Sequence, residues 1–180
     1  MSSFQLRVIE EQDLAQILKW RNSKRIKEYM YTDNEISWKE HFKWYQRVKQ
    51  DPSKEVFIFL KVDLPLGLVQ FYDINDQHNR CYWGFYIGEE AAPSGSGTKM
   101  ATLAINHMIE LGIRKICAEV ISTNLPSLHF HQKLGFQIEG RFKRHISKDN
   151  KQYDVIALAL FDDEWKDRKE SYNEGNYNRP

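Results

Sequence analysis

An α/β (α+β) domain, with a mixed central sheet of about seven strands flanked by about four helices, is what the sequence predicts. Three observations carry that expectation. Apolar alternation and continuous apolar runs mark seven strand-like segments, three of them consecutive between residues 56 and 88. Two long segments, 37–49 and 98–111, hold apolar residues at helical spacing. The 180 residues, 41% of them hydrophobic, suffice for one core, since domains most often hold about 100–150 residues. We therefore read 1–162 as a single domain and 163–180 as a loose polar tail.

Phe4 to Ile9 alternates as a short strand, and Glu10 to Trp20 follows with Leu14, Ile17 and Leu18 at helical spacing behind acidic residues. Arg21 to Ile36 is charged, aromatic and weakly periodic. Ser37 and Glu40 form a capping-box pattern opening a helix to Lys49. Val56 to Leu60 is a continuous apolar run, Asp63 to Gly67 supplies a turn, and Leu68 to Ile74 resumes the strand pattern. A polar loop leads to the strand Cys81–Gly88, in which Gly84 suggests a bulge or a close backbone approach. These three strands read as an antiparallel meander. A Gly/Ser loop then opens the helix Thr98–Leu111, whose stripe is Met100, Leu103, Ala104, Met108 and Leu111 and which stops at Gly112. Lys115–Ile121 is strand-like, Asn124–Leu134 is a short helix ending at Gly135, and strands Phe136–Ile146 and Tyr153–Phe161 flank a Lys148–Asn150 turn.

Charge and cysteine content exclude several classes of function. Lys and Arg number 26 against 25 Asp and Glu, a net +1, which argues against polybasic binding of nucleic acid or of a membrane surface. No run approaches the ~20 apolar residues of a membrane span, and the N-terminus lacks a secretory pattern. Cys81 and Cys117 are too few for a disulfide framework and suit a reducing, cytoplasmic setting. His129 and His131 lack metal-site spacing, so no metal is expected.

Ser94-Gly-Ser-Gly-Thr98 before a helix could cradle a phosphate with backbone N–H groups, or could be a flexible turn and cap. It is neither a Walker A loop nor a dinucleotide-binding fingerprint. Downstream of the next strand stands Asn124-Leu-Pro-Ser127-Leu-His-Phe130-His131-Gln-Lys133-Leu-Gly135-Phe136. Together these two segments resemble the GNAT superfamily of N-acetyltransferases, which carries a Gln/Arg-x-x-Gly-x-Gly/Ala loop and then Asn-x-x-Ala-x-x-x-Tyr-x-Lys-x-Gly-Phe. The resemblance implies a GNAT fold with splayed central strands, acetyl-CoA as cosubstrate, and residues 81–136 as its binding core. Ser94, Gly95, Ser96, Gly97 and Thr98 would hold the pyrophosphate. Main-chain groups of Phe85, Tyr86 and Ile87 would pair with the pantetheine arm, with Asn124, Ser127, Phe130 and Lys133 also on the coenzyme. Two positions depart from the pattern: the expected Gln/Arg falls on Ala92 and the expected Tyr on His131.

Acetyl transfer to an amine needs a neutral amine, a polarised thioester carbonyl and a proton for the departing thiolate. His131 could supply that proton if its site raises its pKa modestly, or it could simply pack. Glu119, mid-strand among apolar neighbours, is the candidate base; a salt-bridge partner is the other reading. Asn124 could equally be a helix N-cap.

Trp20-Arg21-Asn22, Met30-Tyr31 and His41-x-x-Trp44, with Glu139-Gly-Arg141 and Lys148 to Val155, resemble one branch of the superfamily. That branch, the acetyltransferases of pseudaminic-acid biosynthesis, acetylates the 4-amino group of UDP-4-amino-4,6-dideoxy-N-acetyl-β-L-altrosamine. The resemblance implies that residues 20–50 bind a UDP-linked amino sugar through Arg21, Met30, Tyr31 and His41, with Arg21 and His41 meeting the diphosphate. Relatives acting on ribosomal-protein N-termini are the alternative enzymes, and a non-catalytic coenzyme- or nucleotide-binding domain is the alternative outside enzymes. The oligomeric state, a homodimer included, stays open.

Overall fold

Seven strands form one mixed sheet in the computed structural model, which describes residues 4–168. The chain order is β1 (Phe4–Val8), a 3-10 turn (Glu11–Asp13), α1 (Leu14–Asn22), α2 (Lys24–Lys27) and α3 (Trp38–Gln50). Next come β2 (Glu55–Lys61), β3 (Leu64–Asn75), β4 (Arg80–Ile87), α4 (Ser96–Glu110), β5 (Lys115–Ile121) and α5 (Leu125–Leu134). β6 (Gln137–Lys148), β7 (Lys151–Phe161) and a helix α6 over residues 162–168 complete the described chain. The sheet runs β1-β2-β3-β4-β5-β7-β6, antiparallel throughout except at β4–β5.

Apolar side chains cover both faces of the central strands. One face of the sheet, with Phe59, Phe71, Trp83, Ile116 and Leu158, packs against Met100, Ala101, Ala104, Ile105 and Met108 of α4. The other face, with Ile58, Leu60 and Leu68, packs against Leu14, Ile17 and Trp20 of α1 and Tyr45 of α3. The α4 stripe is thus rotated from the expected one: Leu103 is only partly buried and Leu111, at the C-cap, is 58% exposed. Trp20 lies so close to Gly88 that a Cβ there would overlap the indole. That contact fixes α1, and with it Arg21, against the end of β4.

Two further expectations are corrected. Gly84 is neither a bulge nor a close approach, because an added Cβ would meet nothing nearer than Gln70 at 3.6 Å; the β3–β4 irregularity falls between Tyr72 and Asn75. Residues 163–168, expected in a loose tail, are helical together with Asp162. Trp165 is the reason: it is 7% exposed in the main core, and its Nε1–H donates to Asn106 Oδ1 at 2.9 Å. Residues 169–180 of that expected tail lie outside the described residues.

The parallel strands pair only over Arg80–Tyr82 and Lys115–Cys117. Beyond that point β4 and β5 part, and β5 continues against β7 alone. A parting of adjacent strands leaves backbone groups of β4 that need another partner.

Candidate active site

A cavity of about 620 Å³ occupies the parting of β4 and β5 and reaches out beneath the N-terminal helices. Trp83–Tyr86, Glu119, Asn124, Ser127, Phe130 and His131 line its inner part, and Arg21, Met30 and His41 its outer part. Its size falls within the ~300–1,000 Å³ of ordinary small-molecule sites. A second cavity, about 460 Å³, lies beyond Ile87 against Pro93, Gly95, Ser96 and Gly97.

Glu119 accepts a 2.6 Å hydrogen bond on Oε2 from the Tyr31 hydroxyl. Among the described residues it has no ion-pair partner, so the salt-bridge reading finds no support. Burial, and then the Glu119 carboxylate, raise the Tyr31 pKa, so Tyr31 stays a phenol and a donor. Two devices hold Tyr31 there. Asn22 exchanges two 2.9 Å bonds with the Ile36 backbone, closing the loop between them. Lys148, in the β6–β7 turn, donates to the carbonyls of Lys27 (3.1 Å), Glu28 (2.8 Å) and Met30 (3.3 Å).

His131 is 4% exposed and stands at right angles to Trp83 and Phe136. Its Nδ1 lies 2.8 Å from the Ser127 carbonyl. A carbonyl can only accept, so Nδ1 carries the proton and Nε2 presents a lone pair. Burial, only partly offset by that bond, pushes the pKa down to about 4. The expected upward shift is therefore reversed, and at neutral pH His131 is not a standing proton donor. His129 is exposed on another face of α5.

Arg21 is half-buried and, among the described residues, has neither a hydrogen-bond nor an ion-pair partner. Burial lowers its pKa, yet a guanidinium stays charged in proteins. An unpaired cation in a cavity wall is costly unless a ligand supplies the anion. His41 does not share that task. It is 3% exposed, its Nε2–H donates to the Leu14 carbonyl at 3.0 Å, and it stacks on Trp44. Burial lowers its pKa and Arg21 adds to the effect, so a neutral ring ties α3 to α1 instead of meeting a diphosphate.

At the second cavity Gly95 adopts φ +81°, a left-handed turn natural to glycine. Ser96 N–H bonds Pro93 O and Lys99 N–H bonds Gly95 O, which leaves the Gly97 and Thr98 N–H groups without a partner among the described residues. The Ser96 hydroxyl is used within the loop, on Pro93 O at 2.6 Å. Asn124 caps α5 by accepting from Ser127 N–H at 3.2 Å, while also lining the main cavity. Ser94, Thr98 and Lys133 do not line either cavity. Asn22 and Lys148 stand in the segments that carry the resemblance, but sequence reasoning missed the Asn22 clasp, the Lys148 grip and Gln70 in the cavity lining, since each depends on partners brought close only by the fold.

The chain matches the acetyltransferase (GNAT) domain family over residues 6–157. It is 28% identical to acetyltransferase PseH of Campylobacter jejuni, over 83% of this chain and 93% of that one. It is 23% identical to the spermidine N(1)-acetyltransferase of Vibrio cholerae, over 94% and 99%. A crystal structure of spermidine N-acetyltransferase from Vibrio cholerae in complex with CoA and spermine aligns with a TM-score of 0.84 at 22% identity, covering 90% of this chain and 97% of that one.

Proposed function

The chain belongs to the GNAT acetyltransferase family and is an acetyl-CoA-dependent N-acetyltransferase. From that premise we propose that its acceptor is the 4-amino group of a UDP-linked amino-deoxy sugar, UDP-4-amino-4,6-dideoxy-N-acetyl-β-L-altrosamine, in pseudaminic-acid biosynthesis. The observation that carries this reading is Arg21, an unpaired cation in the acceptor cavity. A diphosphate would satisfy it with charge-assisted bonds, whereas a polyamine would add like charge beside it. Met30 and the neighbouring aromatics suit a 6-deoxy sugar with few hydroxyls.

The residues present fit acetyl-CoA. Gly97 and Thr98 offer free N–H groups at a helix N-terminus for phosphate, and β4 from Phe85 to Ile87 lies where the strands part, beside the path of the pantetheine amides, with the Ile87 carbonyl already accepting from Arg25. Bound there, acetyl-CoA supplies the thioester, whose C–S bond is exchanged for the product C–N bond without an enzyme-bound intermediate. Glu119 has Oε1 free to take the ammonium proton, directly or through water, while Tyr31 steadies Oε2. His131 Nε2 is suited to take the second proton from nitrogen and pass it to sulfur, a relay instead of a stored acid. The balance is one proton released through Glu119 and one retained on the thiol.

Thiol release from acetyl-CoA should be measured with the UDP-4-amino sugar, spermidine and ribosomal-protein N-terminal peptides. The nucleotide sugar should exceed the others about a hundredfold or more in kcat/KM. Arg21→Met should raise its KM about tenfold, the worth of a charge-assisted contact, without changing that of acetyl-CoA. Faster turnover of spermidine, or indifference to Arg21→Met, would overturn the reading; tight coenzyme binding without turnover of any amine would favour a non-catalytic domain.

A further inference from the structure

We propose that Arg25, from α2, supplies the cation for the coenzyme's diphosphate, a role no residue of the loop itself can fill; this rests on reading the Gly95–Thr98 loop as the phosphate cradle. Between Gly88 and Lys99 the charged side chains are Glu89 and Glu90. Both border the second cavity, and the position where a cationic or amide side chain is expected holds Ala92. Two free N–H groups then face a dianionic ligand beside two carboxylates, an unfavourable field for a diphosphate. Lys99 does not relieve it, for its ammonium lies over the Phe4 ring at 5.4 Å.

Among the described residues Arg25 is the one cation lining this cavity, and it also lines the main one. Its guanidinium is already oriented: Nη1 donates to Ile87 O at 3.0 Å and Nη2 to Gly88 O at 2.7 Å. Those bonds leave Nε and the remaining N–H groups of a five-donor fork. Its ion pair with Glu90 is long, 4.0 Å, and both side chains are largely exposed, so little is lost in exchanging that carboxylate for a phosphate. An anchored guanidinium keeps most of its rotamer entropy cost out of the binding step.

The test is calorimetric titration of CoA, 3′-dephospho-CoA and pantetheine into the wild type, Arg25→Gln, Arg25→Lys and Gly97→Asp. Arg25→Gln should weaken CoA and 3′-dephospho-CoA alike, by about tenfold, and leave pantetheine unchanged, with Arg25→Lys recovering part of the loss. An equal loss on pantetheine would reduce Arg25 to a strap on β4. A loss on CoA alone would move it to the 3′-phosphate, and no loss would remove it altogether. Each of these overturns the proposal. Gly97→Asp keeps the separate question distinct: an acidic residue suits a helix N-terminus but opposes a phosphate there. If it binds CoA as the wild type does, the cradle reading itself fails; if it weakens CoA while Arg25→Gln does not, only Arg25 is excluded.

Discussion

His131 gives its Nδ1 proton to the Ser127 carbonyl and sits among Trp83, Phe85, Phe130 and Phe136, where an imidazolium has no counter-charge. Burial holds its pKa at about 4, whereas an imidazole in the unfolded chain titrates near ~6.5. Between those values the unfolded chain binds a proton that the folded chain refuses. Stability is therefore full above about pH 6.5 and is lost as the pH falls toward 4. From pH 7.5 to 5 the wild type should lose about 2 kcal/mol more than His131→Phe, a variant with nothing to titrate there. Urea unfolding of both proteins at the two pH values reads this directly. Equal losses would put the His131 pKa near its ordinary value and restore the stored-acid role that the sequence suggests. Residue identity was legible at this position; its protonation was not, because the helix bond and the aromatic packing that set it come from three separate elements.

At the scale of elements, the hairpin β6–β7 places Lys148 over the end of α2. Its turn is built for this, since Asp149 and Asn150 both adopt positive φ, 51° and 57°, as tight hairpin turns of two residues require. That turn was readable from Lys148-Asp-Asn150, and so were all seven strands and both long helices, because each rests on local periodicity. The segment 21–36 was not: its order comes from Asn22 clasping Ile36 and from Lys148 gripping three carbonyls more than a hundred residues away. Lys148→Met keeps the aliphatic stem and deletes the ammonium. The acceptor loop should then loosen, lowering kcat/KM for the acceptor about five- to tenfold, the worth of one or two hydrogen bonds. The KM of acetyl-CoA should rise less, because Arg25 keeps its own bonds to Ile87 O and Gly88 O when Lys148 lets go of the end of α2. A matched rise in both KM values would instead mean that the hairpin supports the whole domain. Positioning at distance is also why a loss here should appear without any substituted residue lining the cavity.

For the molecule as a whole, the core is closed by a residue that composition assigns to a tail. Polarity around Trp165 hides it: Asp162, Asp163, Glu164, Lys166, Asp167 and Arg168 are all charged, and a single aromatic among them carries no periodic signal. In the fold that aromatic reaches the cluster under α4, and its indole N–H finds Asn106. The surrounding charges fit the same helix, with Glu164 Oε2 accepting from Phe161 N–H at 3.2 Å and Lys166 pairing with Asp162 at 2.6 Å. Removing a buried Trp costs about 3–5 kcal/mol, through lost transfer energy and the cavity left behind. Trp165→Ala should therefore unfold about 6–20 °C earlier, at about 2–4 °C per kcal/mol for a chain of this size. Trp165→Phe should recover most of that loss, since it refills the cavity and gives up only the Asn106 bond. Trp165 bonds Asn106, about two and a half turns along α4 from Gly97, so calorimetry on the folded fraction at 15 °C should find CoA affinity unaltered. A Trp165→Ala protein that melts with the wild type would show that the segment after β7 does not close the core.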